Sequence, residues 1–170
     1  ELDLAAVKLA LDRLASGLPA VAVNLAGASL IVPDFTPRLL SLLQQRRELA
    51  GKLWLEVAES GAFQYFDAFL AFSLALRPLG CLLGIEHFGR QFSQIGRLHD
   101  IGLDYLKVDG SFIRNIHADN GNQAFLKGLC NIAHGIGLTV IAEGVNNAEE
   151  LATLPALGFD GATGPAVSRN

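Results

Sequence analysis

Cysteine is scarce in this chain: Cys81 and Cys130 are the only two among 170 residues. Both lie inside apolar runs, and no cysteine and histidine cluster has zinc-ligand spacing. That excludes a disulfide framework and a structural zinc site, and leaves two reduced core thiols in a cytosolic protein as the expectation. Basic charge is not in excess either, with 13 Lys and Arg against 17 Asp and Glu and a net charge of −4. This argues against non-specific binding to duplex DNA, which needs a basic face. It leaves room for a small phosphate ligand, which a few local cations and helix N-termini can hold. The chain does not open with a basic stretch and an apolar core, so no signal peptide is expected. The most apolar window, Ala68 to Ile85, is broken by Arg77-Pro78-Leu79-Gly80 and reads as helix, turn and strand, not as a membrane span. No glycine-rich phosphate loop follows any strand-like run.

What is present is an apolar-rich globular composition, 51% hydrophobic and 18% charged, long enough for one domain with a real core. The organising stretch runs from Cys81 to Phe112. It reads as two apolar strands, Leu82–Ile85 and Tyr105–Val108, joined by an amphipathic crossover around Ile95–Ile101. Glu86 and His87 follow the first strand, and Lys107 and Asp109 mark the end of the second. In a βαβ unit both polar knots emerge on the same side of a parallel sheet.

The same alternation fills the chain. Leu4, Val7, Leu11 and Leu14 share one face of a helix over 2–14. Strands are expected at 20–23, 53–55 and 139–142, with one more beginning at Asp160–Ala162. Thr36-Pro37 reads as a helix start, with the helix running to about Leu49. Further helices are expected over 64–77, 111–117 and 123–134, and after Asn147, which forms a capping box with Glu150. Continuous apolar strands with helix-length connections indicate an α/β fold with a covered parallel sheet. Two architectures fit: a doubly wound open sheet, or a (β/α)8 barrel short of about one βα unit.

Five strands end in a residue of a ligand-binding type: Asn24, Glu56, Glu86, Lys107 and Glu143, with Asp109 two residues after Lys107. α/β sites lie beyond the carboxyl ends of strands, so these residues are candidates for one site rather than for solvated surface. Carboxylates with a carboxamide suit Mg²⁺ or Mn²⁺, and two such ions with a lysine suit phosphodiester chemistry. Lys107 has a second reading, as an ion-pair partner that ties the strand ends together.

The stretches VAVNLAGASL, LWLEVAES, GIEHFGRQFSQIGRLHDIGLDYLKVDGSFI, TVIAEGV and GFDGATG make the chain resemble the EAL domain, a family of cyclic di-GMP phosphodiesterases and receptors. The resemblance implies a (β/α)8 TIM-like barrel of the EAL type, lacking its first strand here, and a single domain over 1–170 that is an N-terminally truncated piece of a larger protein. It implies that Asn24, Glu56, Glu86 and His87 stand at the family's metal positions. Lys107 then matches the catalytic lysine, and Asp109 and Glu143 the acids of K-I-D and A-E-G-V. Glu59 matches the carboxylate that steadies the loop after the strand ending at Glu86.

The departures from the family bear on activity. The Glu-Ala-Leu strand is not in the chain. Glu86-His87-Phe88-Gly89-Arg90-Gln91 replaces D-D-F-G-T-G, Thr163-Gly164-Pro165 replaces Q-G-Y, and Asn146 replaces the second glutamate of A-E-G-V-E. The expectation is a degenerate, non-enzymatic receptor of the LapD type. Its ligand, cyclic di-GMP, would be held by Asn24, Glu56, Lys107, Asp109, Glu143 and Arg90, although Arg90 reads more readily as a solvated cation. No metal is required, and Mg²⁺ or Mn²⁺ enters only if the domain is active. The domain would be cytoplasmic, in an inner-membrane-anchored parent whose other domains are partners. Phe112, Ile113 and Ile116 are candidates for a homodimer contact, or else pack on the barrel wall. The alternatives are an active phosphodiesterase and a protein-interaction module that binds no nucleotide.

Overall fold

The computed structural model describes residues 1–167. Helices and strands alternate: α1 (Leu2–Ala15), β1 (Val21–Leu25), α2 (Phe35–Gln45), α3 (Arg47–Ala50), β2 (Leu53–Ala58), α4 (Glu59–Gln64), α5 (Phe66–Leu76), β3 (Leu82–Phe88), α6 (Leu98–Ile101), β4 (Tyr105–Val108), α7 (Gly110–Ile113), α8 (Asn120–Gly135), β5 (Thr139–Ala142), α9 (Ala148–Leu157) and β6 (Gly161–Ala162). The strands form a six-stranded sheet in sequence order. The β1–β2, β4–β5 and β5–β6 pairs are parallel, the arrangement that helical crossovers permit. The chain divides into two compact units, 1–85 with 100–103, and 86–99 with the chain from Asp104 onward.

In the first unit, α1 buries Val7, Ala10, Leu11 and Leu14, the helical stripe expected from spacing, with Ala10 taking the place of Leu4. Leu53, Leu55 and Val57 of β2 are fully buried. The helix expected from Thr36-Pro37 starts earlier, at Phe35. Phe35 is buried and stacks on Phe72 with ring centroids 6.3 Å apart, so packing pulls it into the first turn. Pro37 is still tolerated there because the first N–H groups of a helix have no intrahelical partner. That helix does not run to Leu49: Arg46 (φ −130°, ψ 40°) breaks it, and α3 follows. Arg46 pairs with Asp12 at 3.0 Å. The helix expected over 64–77 is α5, which starts two residues later at Phe66, and Tyr65 separates it from a preceding helix, α4, that was not expected. Ser73, buried in α5, donates its hydroxyl to the carbonyl of Ile101 at 2.5 Å.

In the second unit, Tyr105, Leu106, Val108, Val140 and Ala142 are almost fully buried. α8 begins at Asn120, earlier than expected, because the Asp119 side chain accepts from the N–H of Asn122 at 2.9 Å. The segment after Asp109 is not one helix: Asn115 takes φ 57° between α7 and a 3₁₀ turn at Ile116–Ala118. Its N–H is held by Glu150 Oε1 at 2.9 Å. Asn147 caps α9 as expected, accepting from the N–H of Glu150 at 2.8 Å. The Glu150 carboxylate returns chiefly to the N–H of Asn146, at 2.8 Å. Glu150 is nonetheless fully buried.

Candidate functional site

In the first unit the parallel register sets Asn24 of β1 beside Glu56 of β2. Neighbouring residues in register project to the same side of a sheet. Asn24 is exposed, whereas Glu56 and Glu59 are buried. Glu56 does not end its strand, which runs on to Ala58. Glu59 opens α4, where a carboxylate meets the positive end of the helix.

In the second unit β3 extends past Ile85, so Glu86 and His87 lie within the strand rather than after it. Backbone bonds align the strand ends: Asp109 N–H donates to the Phe88 carbonyl at 3.0 Å, and Glu143 N–H to the Val108 carbonyl at 3.0 Å. Three carboxylates thereby gather around one ring. His87 Nδ1 lies 3.1 Å from Glu143 Oε2 and 3.4 Å from Asp109 Oδ2, and its Nε2 lies 3.8 Å from Glu86 Oε1. The backbone N–H of His87 also donates to Glu143 Oε2 at 3.1 Å. His87 has φ 54°, a left-handed conformation in which histidine is among the more tolerated non-glycine residues.

The acids differ in environment. Burial raises the Glu143 carboxyl above the ordinary range, against the N–H and ring of His87, and the nearby Glu86 adds to the rise. Asp109 is lowered, first by the Ser111 hydroxyl and then, against partial burial, by the Ser111 N–H, His87 and Arg90. The Ser111 N–H donates to Asp109 Oδ1 at 2.8 Å, which fixes that carboxylate as the cap of α7. Ser111 was not among the expected site residues, though the Asp-Gly-Ser order is a familiar side-chain-to-backbone turn pattern. Lys107, half-buried in β4, is close enough to Glu143 to act on its charge. Arg90 is exposed beyond the end of β3.

The proposed dimer residues fall differently. Ile113 and Ile116 are fully buried in their own unit, so they have no area to offer a partner and the packing alternative holds for them. Phe112 is half-buried, its ring 5.7 Å from that of Phe125. A side chain on Gly89 would collide with the Phe112 ring, which keeps position 89 bare beside the cluster.

The donor set was tested against a hard divalent cation, which takes carboxylate oxygens at about 2.0–2.6 Å. Glu86, Asp109 and Glu143 supply suitable oxygens, but those of Glu143 and Asp109 are turned onto the His87 ring. Among the described residues no group of three or more His, Cys, Asp or Glu is arranged to hold an ion. As folded, this cluster does not fit one.

Comparison with known proteins agrees with this architecture. The chain is 32% identical over 139 residues to the cyclic di-GMP phosphodiesterase PdeF of Escherichia coli, covering 82% of this chain and 19% of PdeF. It is 34% identical over 134 residues to the cyclic di-GMP phosphodiesterase NbdA of Pseudomonas aeruginosa, covering 79% of this chain and 17% of NbdA. The chain thus spans about a fifth of the length of such relatives. Among solved structures, the FimX EAL domain from P. aeruginosa bound to c-di-GMP superposes with TM-score 0.88 at 28% identity, covering 96% of this chain and 67% of that one. The Klebsiella pneumoniae BlrP1 manganese/cy-diGMP complex gives 0.79 at 31% identity, covering 92% and 41%. These likenesses carry the fold class, a TIM-like barrel of the EAL type. The sequence model described as "EAL domain" matches residues 1–170, and the chain belongs to the EAL domain family.

Proposed function

We propose that this chain is a receptor domain that binds cyclic di-GMP and does not hydrolyse it. The observation that carries the reading is His87 at the centre of the Glu86, Asp109 and Glu143 cluster, where the family resemblance implies a carboxylate. Two-metal hydrolysis needs cations to stabilise developing charge. Losing even one such preorganised group costs on the order of 10²-fold in rate. The groups suited to the ligand itself remain, Lys107 for phosphate and Asn24, Glu56, Asp109 and Glu143 for base and ribose donors, and Arg90 adds a second cation for phosphate. The FimX EAL domain, 28% identical, is bound to c-di-GMP.

On this reading residues 1–170 act as one cytoplasmic domain of a longer, inner-membrane-anchored protein of the LapD type. The short span relative to PdeF and NbdA supports the longer parent. No helix among the described residues is long and apolar enough to cross a membrane. Binding passes a signal by favouring one of two conformations or association states of that parent, which requires unequal affinity for the two.

A second reading, an active phosphodiesterase, draws on the names of PdeF and NbdA. One experiment separates the two. Cyclic di-GMP is titrated calorimetrically into the chain, and the mixture is then incubated with Mg²⁺ or Mn²⁺ and resolved by chromatography. The receptor reading expects binding, no linear pGpG, and affinity about 10-fold or more weaker in Lys107→Ala, from the loss of a charge-assisted contact. Turnover at an enzymatic rate selects the phosphodiesterase. Absence of binding heat selects a protein-interaction module.

A further inference from the structure

We infer that His87 is the resident occupant of the carboxylate cluster, a side chain that takes the place of a divalent cation and thereby shuts cations out. The inference rests on the receptor reading and deepens it, by naming what makes the site metal-independent. Three features of the geometry support it. Glu86, Asp109 and Glu143 are sheltered, with side chains 11%, 22% and 14% exposed, while the His87 ring above them is 57% exposed. Carboxylates held this close repel one another, and Glu86 adds to the rise at Glu143. Some donor must lie among them: the His87 backbone N–H donates to Glu143 Oε2 at 3.1 Å, and the ring Nδ1 lies 3.1 Å from the same oxygen.

The second feature is the tautomer this demands. A carboxylate only accepts, and Glu143 Oε2 and Asp109 Oδ2 both face Nδ1. The tautomer these two oxygens favour carries its proton on Nδ1, between two acids that would otherwise close on an ion. The third is the backbone. His87 is held at φ 54° and Gly89 at φ 146°, and this turn at the end of β3 directs the ring inward over the cluster. Lysine or arginine in place of His87 would carry its charge past the acids on a longer stem, whereas the imidazole nitrogens match the spacing found.

The consequence is specific. A cation bound here must first displace the ring and break the Nδ1 contacts to Glu143 and Asp109. Aspartate at this position would remove the donor and add a fourth carboxylate. Aspartate and asparagine also tolerate the left-handed backbone, so neither strains the turn.

The test uses MnCl₂ alone, without nucleotide, on the 170-residue chain and on His87→Asp and His87→Asn, followed by electron paramagnetic resonance of free Mn²⁺. The expected result is no stoichiometric Mn²⁺ in the wild type and one ion in His87→Asp, bound at least about 10-fold more tightly, with His87→Asn between them. Equal Mn²⁺ affinity in wild type and His87→Asp overturns the inference, as does a folded His87→Asp that binds none. A second readout needs no variant: long-range ¹H–¹⁵N spectra of the wild type should place a proton on Nδ1 of His87, and a bare Nδ1 overturns the assignment. Because no nucleotide is present, a failure of cyclic di-GMP binding leaves these results unchanged, and the two readings fail separately.

Discussion

Glu150 offers the sharpest test of the second unit. It is an acid with 1% of its surface exposed, at the third position of α9, and its two oxygens serve two loops. Oε2 accepts from Asn146 N–H at 2.8 Å, in the segment just after Glu143, and Oε1 accepts from Asn115 N–H at 2.9 Å, at the left-handed residue after α7. Replacing it with alanine removes the charged acceptor of two part-buried backbone N–H groups, and a hydrogen bond to a charged group is worth about 1.5–3 kcal/mol. Glu150→Ala should therefore lose about 3–6 kcal/mol in urea unfolding. Glu150→Gln keeps one acceptor and turns an amide N–H on the other donor, for a loss of about 1–3 kcal/mol. The pH dependence is signed. Hydrogen bonds from Asn146, then Asn115 and Asn147, outweigh burial and depress the folded pKa. The stability from ionised Glu150 is then fully present above the unfolded value, about 4.3. It is lost as pH falls through the lower folded value. The gap between wild type and Glu150→Gln should be widest near pH 7 and narrow on acidification below about pH 4. A Glu150→Gln variant within about 0.5 kcal/mol of wild type at pH 7, or a gap that widens with acid, refutes the clamp.

Two further predictions concern packing. A Cβ on Gly27 would lie 2.6 Å from Gly61 Cα, where backbone meets backbone and no side chain can swing away. Gly27→Ala should cost about 2 kcal/mol or more in denaturant unfolding, while Gly128→Ala, in open space on α8, should be neutral or stabilising. Burial pushes the Cys81 thiol up to about 11 and the Cys130 thiol up to about 12. Both should resist thiol-specific labelling at pH 8 until denaturant unfolds the chain, and fast labelling of the native protein would contradict their burial.

Much of this protein is legible residue by residue because the information is local. The apolar runs at 53–55, 105–108 and 139–142 became strands, Asn147 became a cap, and the alternation of strand and helix specified an α/β fold with parallel pairing, since parallel neighbours need a long crossover. The same residues also placed acids and a lysine at or near strand ends, and the motifs named the family. Where the local reading slipped, long-range packing had intervened. Phe35 began α2 ahead of Thr36-Pro37 because its ring is needed against Phe72, and Asn115 divided the helix after Asp109 because Glu150, 35 residues on, holds its N–H. Ile113 and Ile116 read equally as a dimer contact and as wall packing, and the fold buries both. Only the tertiary structure decided the character of the cluster. In sequence, the family resemblance reads His87 as a missing carboxylate; in space, the ends of β3, β4 and β5 bring Glu86, Asp109 and Glu143 around its ring. Hydrogen bonding is set by distances between strands, and no spacing along one strand encodes them.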